Sequence, residues 1–220
     1  MLKELISLFR SDNPLAAIAE KFSQMLSLAW ENTQMAGQIY FGKQASPEER
    51  SGIYKKDIEI NKLERAIRKR VVAHLSFPEN IPDVPYGLLM MSLVKDVERL
   101  GDYAKNLVEV MDQHGGRLPG GELLGELKEI RADVERGFKG ATDLAGSSDT
   151  ERALDLIRAG RDIAQRCDLL ITKIARSDTD AATTTAALLA TRYYKRISGH
   201  VLNILSSIVM PLHKLDYYDE

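Results

Sequence analysis

The feature that most restricts the fold is an apolar stripe with helical spacing along residues 89–111. Its members recur every three or four residues, the period at which side chains share one face of an α-helix. Such a stripe has to be buried against other helices, so we expect a helical bundle. The stripe consists of Leu89, Leu93, Val97, Leu100, Ala104, Leu107 and Met111.

The same period governs most of the chain, and turn residues divide it into six helical segments. Ser46 with Pro47 and Glu49 has the pattern of a capping box, which starts a helix. Three prolines within residues 77–85 are incompatible with a continuing helix and predict a connector. Residues 146–149 and 177–180 predict the caps of the fifth and sixth helices. We therefore predict an all-α fold of six long helices.

The second half of the chain repeats the layout of the first. Asn61 matches Asp168 at an offset of 107 residues, and Glu98 matches Lys195 at an offset of 97 residues because the second connector is shorter. A repeat of this kind predicts two stacked units of the same design. We predict one three-helix repeat over residues 12–114 and a second, degenerate one over residues 118–213.

Composition excludes several classes of protein. The formal net charge of -2 gives no field that would collect nucleic acid, so no nucleic-acid partner is expected. The single cysteine, Cys167, rules out an internal disulfide and lies on an apolar stripe, as a core thiol would. Residues 1–10 lack the pattern of a secretory signal, and no apolar run reaches membrane-spanning length, so we expect a soluble protein of a reducing cytoplasm.

Four polar residues form a candidate site on the second and third helices. Asp57 interrupts the apolar stripe of the second helix, and Asn61 follows one turn later. Glu98 and Asp102 lie one turn apart on the third helix and repel each other unless a cation is near. The four residues are suited to hold a hard cation such as iron, manganese or magnesium. The alternative is a set of ion pairs with neighbouring lysines and arginines, or a solvated face.

Known catalytic patterns are missing from the sequence. No Glu stands three residues before any of the four histidines, so a ferritin-like di-iron site is excluded. The nucleophile elbow, the phosphate-binding loop and the dinucleotide glycine pattern are also missing. We therefore do not expect an enzyme.

Two segments carry a resemblance to a known family. Residues 57–64, with the sequence DIEINKLE, and residues 98–107, with the sequence ERLGDYAKNL, resemble the PhoU family of phosphate-uptake regulators. The resemblance implies two pseudo-symmetric three-helix bundles whose acidic motifs bind metal clusters. Asp57, Glu98 and Asp102 match the acidic positions of the family, and Asn61 is an adjacent oxygen donor. It implies iron, zinc, manganese or magnesium in the first repeat.

The second repeat departs from the family pattern. Lys195 and Gly199 stand where the acids of the third helix would be, and Ala164 stands opposite Asp57. We therefore expect no metal cluster in the second repeat, and we expect Lys195 to occupy the vacated charge position.

The resemblance also implies a function. It indicates a non-enzymatic, bacterial, cytoplasmic regulator of phosphate transport or phosphate signalling. Its partner would be a phosphate transporter or a sensor histidine kinase at the cytosolic face of the inner membrane, and a homodimer is compatible with the family. The alternatives are a metal-dependent hydrolase that uses the first-repeat carboxylates and a metal-free helical scaffold.

Overall fold

A computed structural model describes residues 14–114, 117–147 and 149–214 of the chain. These residues form six α-helices and two short 3₁₀ helices, and contain no strand. The predicted all-α fold is confirmed. The helices are α1 (Pro14–Tyr40), α2 (Pro47–Leu75), α3 (Val84–His114), α4 (Gly121–Leu144), α5 (Thr150–Ala175) and α6 (Ala181–Val209), and the 3₁₀ helices are Pro78–Asp83 and Leu212–Lys214.

Polar caps set the starts of three of these helices. The predicted capping box is present: the backbone N–H of Glu49 donates to Ser46 Oγ at 3.2 Å, and the backbone N–H of Ser46 donates to Glu49 Oε2 at 2.9 Å. Asp149 and Asp180 each accept the backbone N–H of the residue three positions further on, at 3.0 Å. These bonds satisfy amides that the first turn of a helix leaves unpaired.

The proline-rich connector between α2 and α3 folds as a 3₁₀ turn. His74 anchors it to the end of α2: the Asn80 side-chain amide donates to the His74 carbonyl at 2.8 Å, and His74 Nε2 lies 2.7 Å from Asp83 Oδ2. The prolines thus break the helical path where the sequence predicts, and polar side chains fix the new direction of the chain.

Helices α1, α2 and α3 pack together, as do α4, α5 and α6. The two groups join mainly where α3 lies against α6, with a smaller contact between α1 and α4. One continuous apolar core runs through both groups, and it includes the predicted stripe of α3. A hydrogen bond of 3.3 Å from the Tyr40 hydroxyl to the Ala186 carbonyl also crosses the junction.

The predicted start of the first repeat, residue 12, lies outside the described residues. The segment 1–10, which lacks a signal pattern, lies outside them as well. The limits 12–114 and 118–213 therefore stay a prediction. Within the described ranges, each helix is too polar or too short in its apolar run to cross a membrane.

Candidate functional site

Asp57 is the buried member of the predicted site. It leaves 7% of its surface exposed, and it points from α2 toward α3. Gly101 of α3 permits this approach, since a Cβ at that position would lie 3.1 Å from Ile60 Cδ1 and 3.5 Å from Asp57 Oδ1. Within the described residues, Asp57 Oδ1 is buried without a hydrogen-bond partner. A buried carboxylate is costly unless a positive group compensates it.

Lys105 supplies that positive group. Its ammonium donates to Asp57 Oδ2 at 3.2 Å and to Asp102 Oδ1 at 3.3 Å. Burial by itself lowers the pKa of the Lys105 ammonium, but the charges of Asp57 and Asp102 outweigh it and leave the pKa above its usual value. Lys105 thus joins α3 to α2 through Asp57 and also pairs with Asp102 of its own helix.

The two predicted acids of α3, Glu98 and Asp102, pair with cations of their own helix. Glu98 accepts from Lys95 Nζ at 2.7 Å and lies 3.8 Å from Arg99 Nε. Arg99 also donates to Asp102 at 3.1 Å. The repulsion between Glu98 and Asp102 is therefore relieved by the basic side chains beside them.

The structure brings two of the four predicted residues together, Asp57 and Asp102, with Lys105 between them. Glu98 turns toward Lys95, and Asn61 is half-buried one turn from Asp57 on α2. Among the described residues, no three Asp, Glu, His or Cys side chains are grouped as a metal site would require. In this conformation Asp57, Glu98 and Asp102 form an ion-pair network rather than a ligand cage. The metal site stays a prediction.

In the second repeat, Lys195 lies at the position that matches Glu98. Its ammonium donates to both Oδ1 and Oδ2 of Asp168, each at 2.6 Å, which links α6 to α5. Ala164 and Gly199, the counterparts of Asp57 and Asp102, carry no polar side chain. One lysine and one aspartate thus replace the network of the first repeat.

Residues 22–111, which include this first-repeat network, match the family model of the PhoU domain. The resemblance to the PhoU family is therefore confirmed for this segment of the chain. The matched segment covers α2 and nearly all of α1 and α3. Among curated proteins, none matches the chain.

Most of the chain shares the fold of solved PhoU structures. PhoU from Pseudomonas aeruginosa superposes with a TM-score of 0.79 at 20% identity, over 89% of this chain and 95% of that chain. The phosphate transport system regulatory protein PhoU from Streptococcus pneumoniae superposes with a TM-score of 0.76 at 18% identity, over 93% of this chain and 95% of that chain. The tandem arrangement of two three-helix bundles is therefore the PhoU fold.

A further polar cluster joins the first repeat to the second repeat. Asp96 of α3 is 7% exposed, and its Oδ1 accepts from Asn203 Nδ2 at 2.9 Å and lies 2.8 Å from His200 Nδ1. Because an ionised carboxylate has no proton to give, the proton of this contact belongs to His200 Nδ1. Tyr103 stacks on the His200 ring with a centroid separation of 5.8 Å.

The sequence reasoning missed Lys105 and Asp96. The signal for Lys105 was its position three residues after Asp102, where side chains meet on a helix. Asp96 precedes the stripe residue Val97 and gives no local sign that its partners lie 104 and 107 residues away. Only the packing of α3 on α6 brings them together.

Cys167 is a buried core thiol, as its place in the apolar stripe predicts. It is fully buried, and burial raises the pKa of its thiol to about 12. Since the thiolate is the nucleophile, a thiol with so high a pKa is inert at neutral pH.

Proposed function

We propose that this PhoU-family chain is a non-enzymatic, cytoplasmic regulator of phosphate transport or phosphate signalling. The observation that carries the proposal is the PhoU domain of residues 22–111 on the complete PhoU fold. One structural relative with that fold is described as a regulatory protein of a phosphate transport system. A regulator needs a surface for its partner rather than a reaction centre.

The connector between α2 and α3 supports such a surface. Four large apolar side chains at this connector and on the adjoining helix turns are more than half exposed. Exposed apolar groups of this size, gathered at one end of a protein, are typical of a contact with another protein. They are Val72 (60%), Phe77 (56%), Ile81 (66%) and Leu88 (53%).

We propose that this end of the PhoU domain docks on the cytosolic side of a phosphate transporter or a sensor histidine kinase. The contact would hold the protein peripherally at the inner membrane. A helical end with apolar anchors suits insertion between the cytosolic elements of a larger protein.

A pull-down from solubilised membranes with the purified 220-residue chain tests the docking. We expect a transporter or a sensor kinase, identified by mass spectrometry, to be retained by the wild-type chain and lost with the double variant Phe77→Asp, Ile81→Asp. The matched control is Leu169→Asp, since Leu169 is also 56% exposed but lies on α5 of the second repeat. Equal retention by both variants would contradict the proposal.

A cation in the first repeat is a separate proposal. It is supported by the buried Asp57 Oδ1, which lacks a partner within the described residues and which a metal ion would satisfy. The ion would have to displace the Lys105 ammonium, which now lies between Asp57 and Asp102. The candidate ligands remain Asp57, Asn61, Glu98 and Asp102, for iron, zinc, manganese or magnesium.

Elemental analysis of the purified protein tests the cation. We expect metal in the wild-type chain, loss of that metal in the variant Asp57→Asn, Asp102→Asn, and no loss in Asp168→Asn of the second repeat. Metal that depends on Asp168 would contradict the expectation that only the first repeat binds it. A metal-free wild-type chain with unaltered partner binding would favour a plain scaffold.

A further inference from the structure

A basic depression between α5 and α6 is not explained by the function proposed above. It encloses about 510 Å³, and its α6 side carries Arg192, Lys195 and Arg196. Residues three and four apart are neighbours on a helix surface, so Arg192 is close to both Lys195 and Arg196. Ala164 and Gly199 also line the depression, and a Cβ at Gly199 would meet no atom within 4 Å. Small residues thus leave open space beside the positive charges.

The matching face of the first repeat has a different charge. There, three basic residues pair with three carboxylates, so the formal charge of the set is zero. At the same positions of the second repeat, Lys95 and Arg99 return as Arg192 and Arg196, and Lys105 is replaced by Leu202. None of the three carboxylates returns. The pairs of the first repeat are Lys95 with Glu98, Arg99 with Asp102 and Lys105 with Asp57.

The arginines of the depression lack the partners that their counterparts have. Within the described chain, Arg192 and Arg196 are exposed and form no salt bridge with a carboxylate. Lys195 pairs with Asp168, which is 60% exposed and therefore free to turn toward solvent. Three cations and one carboxylate leave a formal charge of about +2 at the mouth of the depression.

A second carboxylate, Asp96, lies behind the depression and is already satisfied. Both His200 and Asn203, which line the depression, contact its Oδ1 at 2.8 and 2.9 Å. Asp96 is 7% exposed, so these two side chains separate it from any molecule in the depression. The excess positive charge therefore faces the open space.

We propose that this depression binds a polyanion of the phosphate class, through Arg192, Lys195 and Arg196. Guanidinium groups donate two parallel hydrogen bonds to phosphate oxygens, and a lysine adds a compact charge. The enclosed volume lies in the range of small-ligand sites, about 300–1,000 Å³. The phosphate groups would belong either to a free polyphosphate-type anion or to the headgroups of an anionic membrane.

Titration calorimetry with sodium tripolyphosphate at low ionic strength tests the free anion. We expect the wild-type chain to bind it, and we expect Arg192→Glu, Arg196→Glu to weaken binding by about tenfold or more. The matched control, Lys139→Glu, Arg158→Glu, makes the same change of net charge at exposed residues of α4 and α5, and should keep affinity within about twofold. Circular dichroism confirms that both double variants are folded.

The variant Asp168→Asn should change the affinity for tripolyphosphate in the opposite direction. Asp168 competes with the ligand for Lys195, so its neutralisation should tighten tripolyphosphate binding by about threefold. A merely structural Lys195–Asp168 pair would instead give unchanged or weaker binding. That result, or equal losses in the two double variants, would overturn the proposal.

Sedimentation with vesicles separates the two sources of phosphate. Vesicles of phosphatidylglycerol that bind the wild-type chain but not Arg192→Glu, Arg196→Glu, while tripolyphosphate does not bind, would assign the site to headgroups and support the phosphate class. Failure of both probes to bind would overturn the proposal. A polyglutamate peptide that binds more tightly than tripolyphosphate would also overturn it, in favour of an acidic protein segment.

Discussion

Asp96 of α3 and His200 of α6 are joined by a hydrogen bond of 2.8 Å across the junction of the two repeats. Asn203 donates to the same carboxylate oxygen at 2.9 Å. A carboxylate buried without partners is costly, so Asp96 favours the one packing of α3 on α6 that supplies its two hydrogen bonds. The apolar contacts between these helices do not select a packing in this way.

A double-mutant cycle on Asp96 and His200 measures this link. Each single alanine variant should lower the free energy of unfolding, and the coupling between them should be about 1–3 kcal/mol because the pair is partly buried. Urea unfolding gives these values. The exposed pair Arg158–Asp155 serves as the control, and its coupling should be below about 1 kcal/mol. A coupling at Asp96–His200 as small as the control would contradict the prediction.

Lys105→Met should destabilise the first repeat. The substitution keeps the apolar stem of the side chain but leaves Asp57 buried without a cation, at a cost of about 1–3 kcal/mol. Equilibrium unfolding in urea gives this value. Lys139→Met, which removes an exposed partner of Asp143, should cost less than about 1 kcal/mol. Similar losses in the two variants would mean that burial of Asp57 is unimportant.

The contribution of Lys105 should also depend on pH. The folded-state pKa of this ammonium is raised above its unfolded value, so folding favours its protonated form. The stabilisation is complete below the unfolded pKa, about 10.4, and is lost as pH rises through the higher folded pKa. The stability difference between the wild type and Lys105→Met should thus be constant at neutral pH and shrink only in alkali. A difference that shrinks on acidification to pH 6 would contradict this assignment.

Cys167 should not react with a thiol reagent while the protein is folded. Its thiol is fully buried, and its raised pKa keeps it protonated. Ellman's reagent at pH 8 should label less than about a tenth of the native protein in the time that labels all of it in denaturant. Fast labelling of the native protein would show that the α5–α6 core opens readily.

Two glycine substitutions should have opposite effects. Gly52 lies within α2, and an added Cβ would meet no atom within 4 Å, so Gly52→Ala should stabilise the protein by about 0.4–1 kcal/mol. A Cβ at Gly37 would lie 3.0 Å from both Arg131 Nε and Tyr194 Oη, so Gly37→Ala should be destabilising or neutral at best. Thermal unfolding compares the two. If Gly37→Ala stabilised the protein as much as Gly52→Ala, α1 and α4 would be able to move apart without loss of stability.

The helices and their caps were predictable because their determinants are local. Ser46 with Glu49 and the apolar stripe of α3 act within one or two turns of chain, and the structure has each of them as the sequence indicates. The placement of Asp57 in a buried stripe was equally visible, and it is buried.

The pairing of the charged groups was not predictable to the same extent. Acids and bases alternate so closely on α2 and α3 that several sets of partners satisfy the same spacing, and the choice depends on how the helices cross. Lys105 reaches Asp57 over 48 residues of chain because Gly101 lets the helices approach. Asp96 depends in the same way on the contact of α3 with α6.

The 3₁₀ connector occurs in the first repeat, whereas residues 176–180 join the corresponding helices of the second. If both repeats had the same connector, a partner would find two equivalent binding sites, or it could bind in two orientations. A protein that recognises the connector therefore meets a single copy of it per chain. For a partner that binds the connector, we therefore expect one partner per chain in a fixed orientation, although the backbone is duplicated.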